Sequence, residues 1–327
     1  MKKIIALILC AAVLSGGFCS CSNGGAAGKG RISIVTTIFP VYDWCREILG
    51  SEAEGVDLVM LLDSGVDLHS YQPTAADLVR IADCDVFVYV GGESDEWAED
   101  ALKNDANPGM IVVDLLRSLG SRAVEEELAE GMEPEEHEEE EDEEEEEGPE
   151  YDEHVWLSLK NASVLVDVLA EAIAAADPDR ADASRANAVA YRSRLDALDG
   201  AYAEAVKAGN KDTLLFADRF PFRYLTEDYG LGYYAAFSGC SAETEASFKT
   251  VVFLAEKVDA LGLGAICQIE SSDGSIARTV QENTAAGDQK ILVFDSLQSV
   301  TAARVKEGVS YLSVMEANLA VLKEALE

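Results

Sequence analysis

The chain has 327 residues, 48% of them hydrophobic, which is enough material for about two domain-sized cores. Against 62 acidic residues there are 25 lysines and arginines, giving a net charge of -37 and a pI near 4.2. That balance excludes a nucleic-acid partner, whose phosphates need lysine and arginine to displace counterions, and it suits a cationic one.

The first thirty residues read as a targeting segment. Lys2 and Lys3 precede an apolar stretch of about a dozen residues, too short to span a bilayer. Cys19 and Cys21 follow, and Ser20 before Cys21 resembles a bacterial lipobox. Residues 1–20 are therefore predicted to be a lipoprotein signal peptide, Cys21 the lipidated residue and 21–30 a flexible tether. The chain is expected outside the cytoplasm, lipid-anchored to the outer face of a bacterial membrane.

From Arg31 strands and helices alternate. Strands are predicted at 32–37, 56–62, 84–92 and 109–115, with a helix after the first and another over AADLVRIA, capped by Thr74. Eighteen acidic residues and no lysine or arginine fill 125–150, so this insert is predicted to be disordered. Helical periodicity resumes at YDEHVWLSLKNASVLVDVLAEAIAAADP, Pro178 interrupts it, and a long helix covers 179–208. The second half repeats the pattern, with strands at 213–218, 233–237, 265–270 and 290–295 and a last helix from about 303 to 326. The fold class is α/β: two Rossmann-like lobes with parallel sheets, 31–178 and 209–327, joined by a long rigid helix that limits hinge motion.

Ligands of open α/β sheets sit beyond the carboxyl ends of the strands. His69, Asp218, Glu270 and Asp295 all fall there, facing a cleft between the lobes. His69, in LHSYQP, is one of three histidines; His154 lies in DEHVW, and His137 sits inside the acidic run as a loose ligand at most. Imidazole and carboxylate together make a hard-to-borderline metal site. Of the four cysteines beyond the anchor, Cys45 and Cys84 read as buried small hydrophobes, and none shows CxxC spacing.

Several segments carry a resemblance. HSYQPTAADLVRIADCDVFVYVGGESDEW, DEHVWLSLKNA, YGLGYYAAFSGCSAETEASFKT, AICQIESSDGSIARTV and VFDSLQSV are similar to the motifs of the cluster A-I substrate-binding lipoproteins, the zinc and manganese binders of ABC importers. The likeness covers about residues 31 to 327. It implies His69 and His154 as the two metal histidines and Asp295 as a carboxylate from the second lobe. Glu153 stands where that family usually has proline. The remaining family ligand, a histidine or glutamate, aligns with Arg219, whose guanidinium has no lone pair to offer. Asp218 beside it is the first substitute, with Glu270 and then Cys240 as further candidates.

The resemblance thus implies a non-enzymatic, monomeric solute-binding protein carrying Zn2+, alternatively Mn2+, to a permease and its ATPase. The acidic run would collect cations loosely. A surface adhesin with a structural metal is the alternative. A zinc hydrolase is the weakest reading: it needs three protein ligands, an open position for water and a general base, HExxH is absent, and three histidines suggest no Ser–His–Asp arrangement.

Overall fold

The computed structural model describes residues 31–103, 107–133, 150–241 and 245–327. The signal, the tether, Cys21 and His137 lie outside the described residues.

The first lobe runs β1 (Ile32–Thr36), α1 (Phe39–Leu49), β2 (Val56–Met60), α2 (Ala75–Asp83), β3 (Val86–Tyr89), α3 (Glu96–Lys103), β4 (Ile111–Asp114) and α4 (Leu115–Leu119). Two long helices follow, α5 (Leu159–Ala176) and α6 (Ala181–Ala208). The second lobe holds β5 (Thr213–Phe220), α7 (Arg223–Tyr229), β6 (Gly232–Ser238), α8 (Phe248–Leu261), β7 (Ala265–Ile269), α9 (Ser275–Asn283) and β8 (Lys290–Phe294). The chain ends in α10 (Ala302–Lys306) and α11 (Tyr311–Ala325).

The sheets have the same topology, β2-β1-β3-β4 and β6-β5-β7-β8, with every pair parallel. Parallel sheets covered by helices bury both faces, and β3 and β7 are buried at every position. Thr74 caps α2 with a reciprocal Asp77 bond, a capping box that sets the exit angle of the His69 loop. One apolar core runs from Ile32 in β1 through α5 and α6 to Leu326, so both lobes share it.

Helix α6 packs on α1 of the first lobe and on α11, and α11 in turn packs on β8 of the second. Tyr311 at the start of α11 donates its backbone N–H to the buried carboxylate of Asp43 in α1, 2.7 Å away. Its hydroxyl donates to the carbonyl of Trp156, also at 2.7 Å.

Two expectations need correction. The single last helix is two, because Gly308 at φ +94° ends the first and Ser310 caps the second with a capping box. The acidic insert is not structureless from its first residue. Glu126 N–H donates to the Glu150 carbonyl and Asp152 N–H to the Val124 carbonyl, both at 2.9 Å, so the feet of the insert pair antiparallel. The chain then crosses to the edge of the second sheet, where Glu133 N–H reaches the Ala236 carbonyl at 3.0 Å. Glu127 pairs with Arg223, Glu130 with Lys257, and Glu133 accepts from Ser247 N–H and the Thr250 hydroxyl. The side chains of Glu127, Glu130 and Glu133 therefore find cationic and hydroxyl partners across the lobe boundary, and Met132 is buried.

Candidate metal centre

The loop after β2 turns at Asp67, whose Oδ1 accepts the His69 N–H at 3.1 Å and starts the short 3-10 turn Leu68–Ser70. Leu68 buries its side chain as the anchor of that turn, and His69 beside it projects towards the second lobe. Further along the same lobe, Asp152 Oδ1 accepts the backbone N–H of His154 at 2.8 Å, fixing the last residue before the 3-10 turn Val155–Leu157.

Nε2 of His69 lies 3.1 Å from Nε2 of His154. Across a tetrahedral zinc with about 2.05 Å bonds, two nitrogens stand about 3.3 Å apart. The other nitrogen of each ring is held from behind. His154 Nδ1 is 3.1 Å from Asp152 Oδ1, while His69 Nδ1 is 2.7 Å from Ser94 Oγ and 3.4 Å from Glu153 Oε2. A carboxylate behind Nδ1 keeps the proton there and leaves the Nε2 lone pair free, as second-shell carboxylates do for metal histidines. Two lone pairs 3.1 Å apart repel unless a proton or a cation lies between them. His154 is fully buried, out of reach of bulk water.

Cys240 completes the group. Its Sγ and the two imidazole donors all lie within 4.8 Å of one another. Cys240 follows β6 directly, and Gly239 before it permits the approach: a Cβ there would meet His154 Cε1 at 2.9 Å and the Phe220 carbonyl at 2.9 Å. Burial pushes the Cys240 thiol well above its ordinary range, helped by the charges of Asp152, Glu126 and Glu153. Burial alone lowers the His69 pKa, but the hydrogen bond and charge of Glu153, with Asp67, outweigh it and hold it above normal.

The carboxylates expected from the second lobe do not join this group. Asp218 gives Oδ1 to the Arg219 N–H at 2.8 Å and Oδ2 to the Ile269 N–H at 3.1 Å. The physical reason is a bulge in β5 between Phe216 and Arg219, where the Asp218 carboxylate takes the amide that β7 presents. Asp295 accepts from Leu297 N–H and pairs with Arg304 at 3.1 Å. Glu270 takes the Ser296 N–H and the hydroxyls of Ser296 and Ser299. Arg219 does not coordinate either: it donates to Asp67 Oδ2 at 3.0 Å and to the Ser241 carbonyl at 3.2 Å.

Glu153 was legible only as a departure from proline. Its Oε1 accepts the Ser94 N–H at 2.8 Å, and the side chain fits because Gly92, at φ +85°, has no Cβ; one would lie 2.4 Å from Oε1. Nearby, Asp95 Oδ2 accepts the N–H groups of Val90 and Gly91. Burial lifts Asp95 to about 7 against those two donors, with the Glu153 charge adding to the rise. A carboxyl raised in the folded state binds its proton before the unfolded chain does, so its contribution is present at low pH and lost as pH rises through about 7. Between pH 8 and 5.5 the metal-free protein should gain about 2 kcal/mol from this group. Urea unfolding across that range should show the gain, and Asp95→Asn should flatten it; an unchanged slope in the variant refutes the assignment.

With the geometry in place, comparison with known proteins is decisive. Residues 34–325 match the model of the family described as zinc-uptake complex component A, periplasmic. The chain belongs to that zinc-uptake family. Among its relatives, the zinc-binding lipoprotein AdcA of Streptococcus pneumoniae serotype 4 is 33% identical over 333 residues, all of this chain and 62% of that protein. The high-affinity zinc uptake system protein ZnuA of Bacillus subtilis is 30% identical over 308 residues, 94% of this chain and 92% of that protein. The crystal structure of the Zn(II)-bound ZnuA-like domain of pneumococcal AdcA superposes with a TM-score of 0.70 at 29% identity, covering 91% of this chain and 99% of that one. The chain thus spans less than two thirds of its pneumococcal relative and nearly all of its B. subtilis one. Two parallel-sheet lobes joined by α6 are the fold of this family, which is a transport component and not a class of enzyme.

Proposed function

We propose that this member of the zinc-uptake family captures a divalent transition metal outside the cytoplasm, zinc in preference to manganese. It then delivers the ion to an ABC importer, a permease with its ATPase. His69 and His154 are the ligand pair at the heart of the site. The observation that carries this reading is the 3.1 Å approach of their Nε2 atoms, each ring backed by a carboxylate. Family membership and the zinc named for its relatives support the identity of the cargo. Binding is the whole activity proposed, in keeping with a family whose model describes a component of zinc uptake. The remaining donor comes from the second lobe, and capture draws both walls of the cleft onto one ion. The chain works as a monomer held to the membrane through Cys21, and the acidic run raises the local cation concentration near the cleft.

The test is metal retention with function. Purified protein dialysed against zinc and manganese together should keep one zinc per chain. Expressed in a bacterium lacking its own zinc-binding lipoprotein, with a cognate permease and ATPase, it should restore growth under zinc limitation. A protein that retains no metal after dialysis and restores no growth overturns the reading.

A further inference from the structure

The third family ligand position is occupied by a residue that cannot ligate, and the alternatives nearest to it are engaged elsewhere. Arg219 spends its guanidinium on two contacts: Asp67 in the first lobe and the Ser241 carbonyl in the second. Asp67 sits two residues before His69 and caps its backbone; its Oδ1 is 3.9 Å from His69 Nε2. Ser241 directly follows Cys240. The arginine thus ties the turn that carries one ligand to the loop that carries the thiol. The loop is held from a second direction by Glu126, which accepts from the Cys240 N–H and the Ser238 hydroxyl.

We infer that the third ligand has moved from the end of β5 to the end of β6. Cys240 binds the cargo as a thiolate with His69 and His154, Arg219 is the strut that positions it, and the site selects thiophilic borderline-to-soft divalent cations, zinc and cadmium, against manganese. This rests on the capture reading and refines its ligand set and its cargo class.

Three observations converge on it. Sγ lies within 4.8 Å of both imidazole donors. Bonds of about 2.3 Å to sulfur and 2.05 Å to nitrogen put those atoms about 3.6 Å apart in a tetrahedral zinc site, so closure by at most about 1.2 Å brings all three donors onto one ion. Gly239 is the second observation, since any side chain there would strike the His154 ring and push the loop away. The third is the engagement of both Asp218 oxygens by backbone amides, which occupies the carboxylate beside the Arg219 position, while Asp67 is taken up by the His69 N–H and by Arg219. Thiolate with two imidazoles suits zinc and cadmium, while manganese prefers oxygen donors in octahedral array. On binding, the S–H bond gives way to a metal–sulfur bond, and the proton leaves to solvent.

The experiment uses the mature protein in reducing buffer, loaded with Co2+ as a spectroscopic stand-in for zinc. A thiolate ligand gives an intense near-ultraviolet sulfur-to-cobalt charge-transfer band, with visible bands of tetrahedral strength. Cys45, Cys84 and Cys267 are buried in the core, so the band reports Cys240. The wild-type spectrum should show it. Cys240→Ser should lose it and weaken zinc binding by roughly 100-fold, with a larger loss for cadmium and little change for manganese. Arg219→Ala should weaken the band and zinc binding together, and Arg219→Lys should restore part of both; a merely structural role for Arg219 leaves the band of the folded variant intact. A cobalt protein without the band, or a Cys240→Ser protein that holds zinc as tightly as wild type, overturns the inference and leaves histidine-based capture standing. A wild-type protein that binds neither zinc nor cobalt overturns both.

Discussion

Zinc affinity should fall by roughly 100- to 1,000-fold in His69→Ala, about 3–4 kcal/mol of binding free energy, with the fold intact. The size follows from the donor count. Removing one imidazole from a group of three protein donors deletes a metal–nitrogen bond and admits water where the ion had been shielded. It also leaves Glu153 and Ser94 without the ring nitrogen they face. His154→Ala should lose as much, and because His154 is fully buried it should also cost stability by opening a cavity beside Trp156. Asp152→Asn separates ligation from orientation: the amide oxygen still accepts from Nδ1 but without charge, so a loss of about tenfold is expected. Competition titration against a chromogenic chelator measures all three. A His69→Ala protein with wild-type zinc affinity would falsify the central assignment.

How far the sequence carried this result depends on the range of each interaction. The eight strands among the described residues were legible as short β-branched apolar runs, clearest in the central strands ISIVT and AICQI, which are buried almost throughout. Helix α6 was legible from its own periodicity and from Pro178 before it. His69 and His154 stood out by scarcity and motif. The rest of the site depends on contacts between residues far apart in the chain. Glu153 reaches His69 only because Gly92 lacks a Cβ, a fit between residues about sixty positions apart. Cys240 stands last among the candidates in the sequence, because only the fold shows Gly239 bringing it against His154. Asp218 looked available because a bulge in β5 turns its carboxylate onto the Ile269 N–H of β7, and no local pattern announces a bulge there. The ordered arm 125–133 was hidden for the same reason: its composition is that of a disordered run, and its partners Arg223, Lys257 and Thr250 belong to the other lobe.

Replacing Trp156 by alanine should destabilise the metal-free protein by about 3–5 kcal/mol, more than any other substitution near the site. Trp156 is fully buried two residues after His154, and their rings pack with centroids 5.3 Å apart. Its indole N–H donates to the Ser296 carbonyl, just beyond β8, at 2.9 Å. Its own carbonyl accepts the Tyr311 hydroxyl, and the Tyr311 ring meets Trp44 of α1 edge-on at 5.2 Å. One residue therefore joins the ligand segment and the second sheet through its side chain, and α11 through its carbonyl. Alanine leaves a cavity that α5 and α7, which pack on the Val155–Leu157 turn, cannot close without breaking their own packing. It also strands the Ser296 carbonyl, which costs a further 1 kcal/mol or so when buried. Trp156→Phe separates these terms, since it keeps most of the apolar contact and loses only the hydrogen bond, for about 1–2 kcal/mol. Urea unfolding with chelator present measures both, because bound zinc would stabilise each variant in proportion to its own affinity and blur the comparison. Zinc affinity of the alanine variant should fall as well, as the His154 ring loses the surface that orients it. A Trp156→Ala protein within 1 kcal/mol of wild type would show that the lobes hold together without this peg, and that α6 and α11 alone set the width of the cleft.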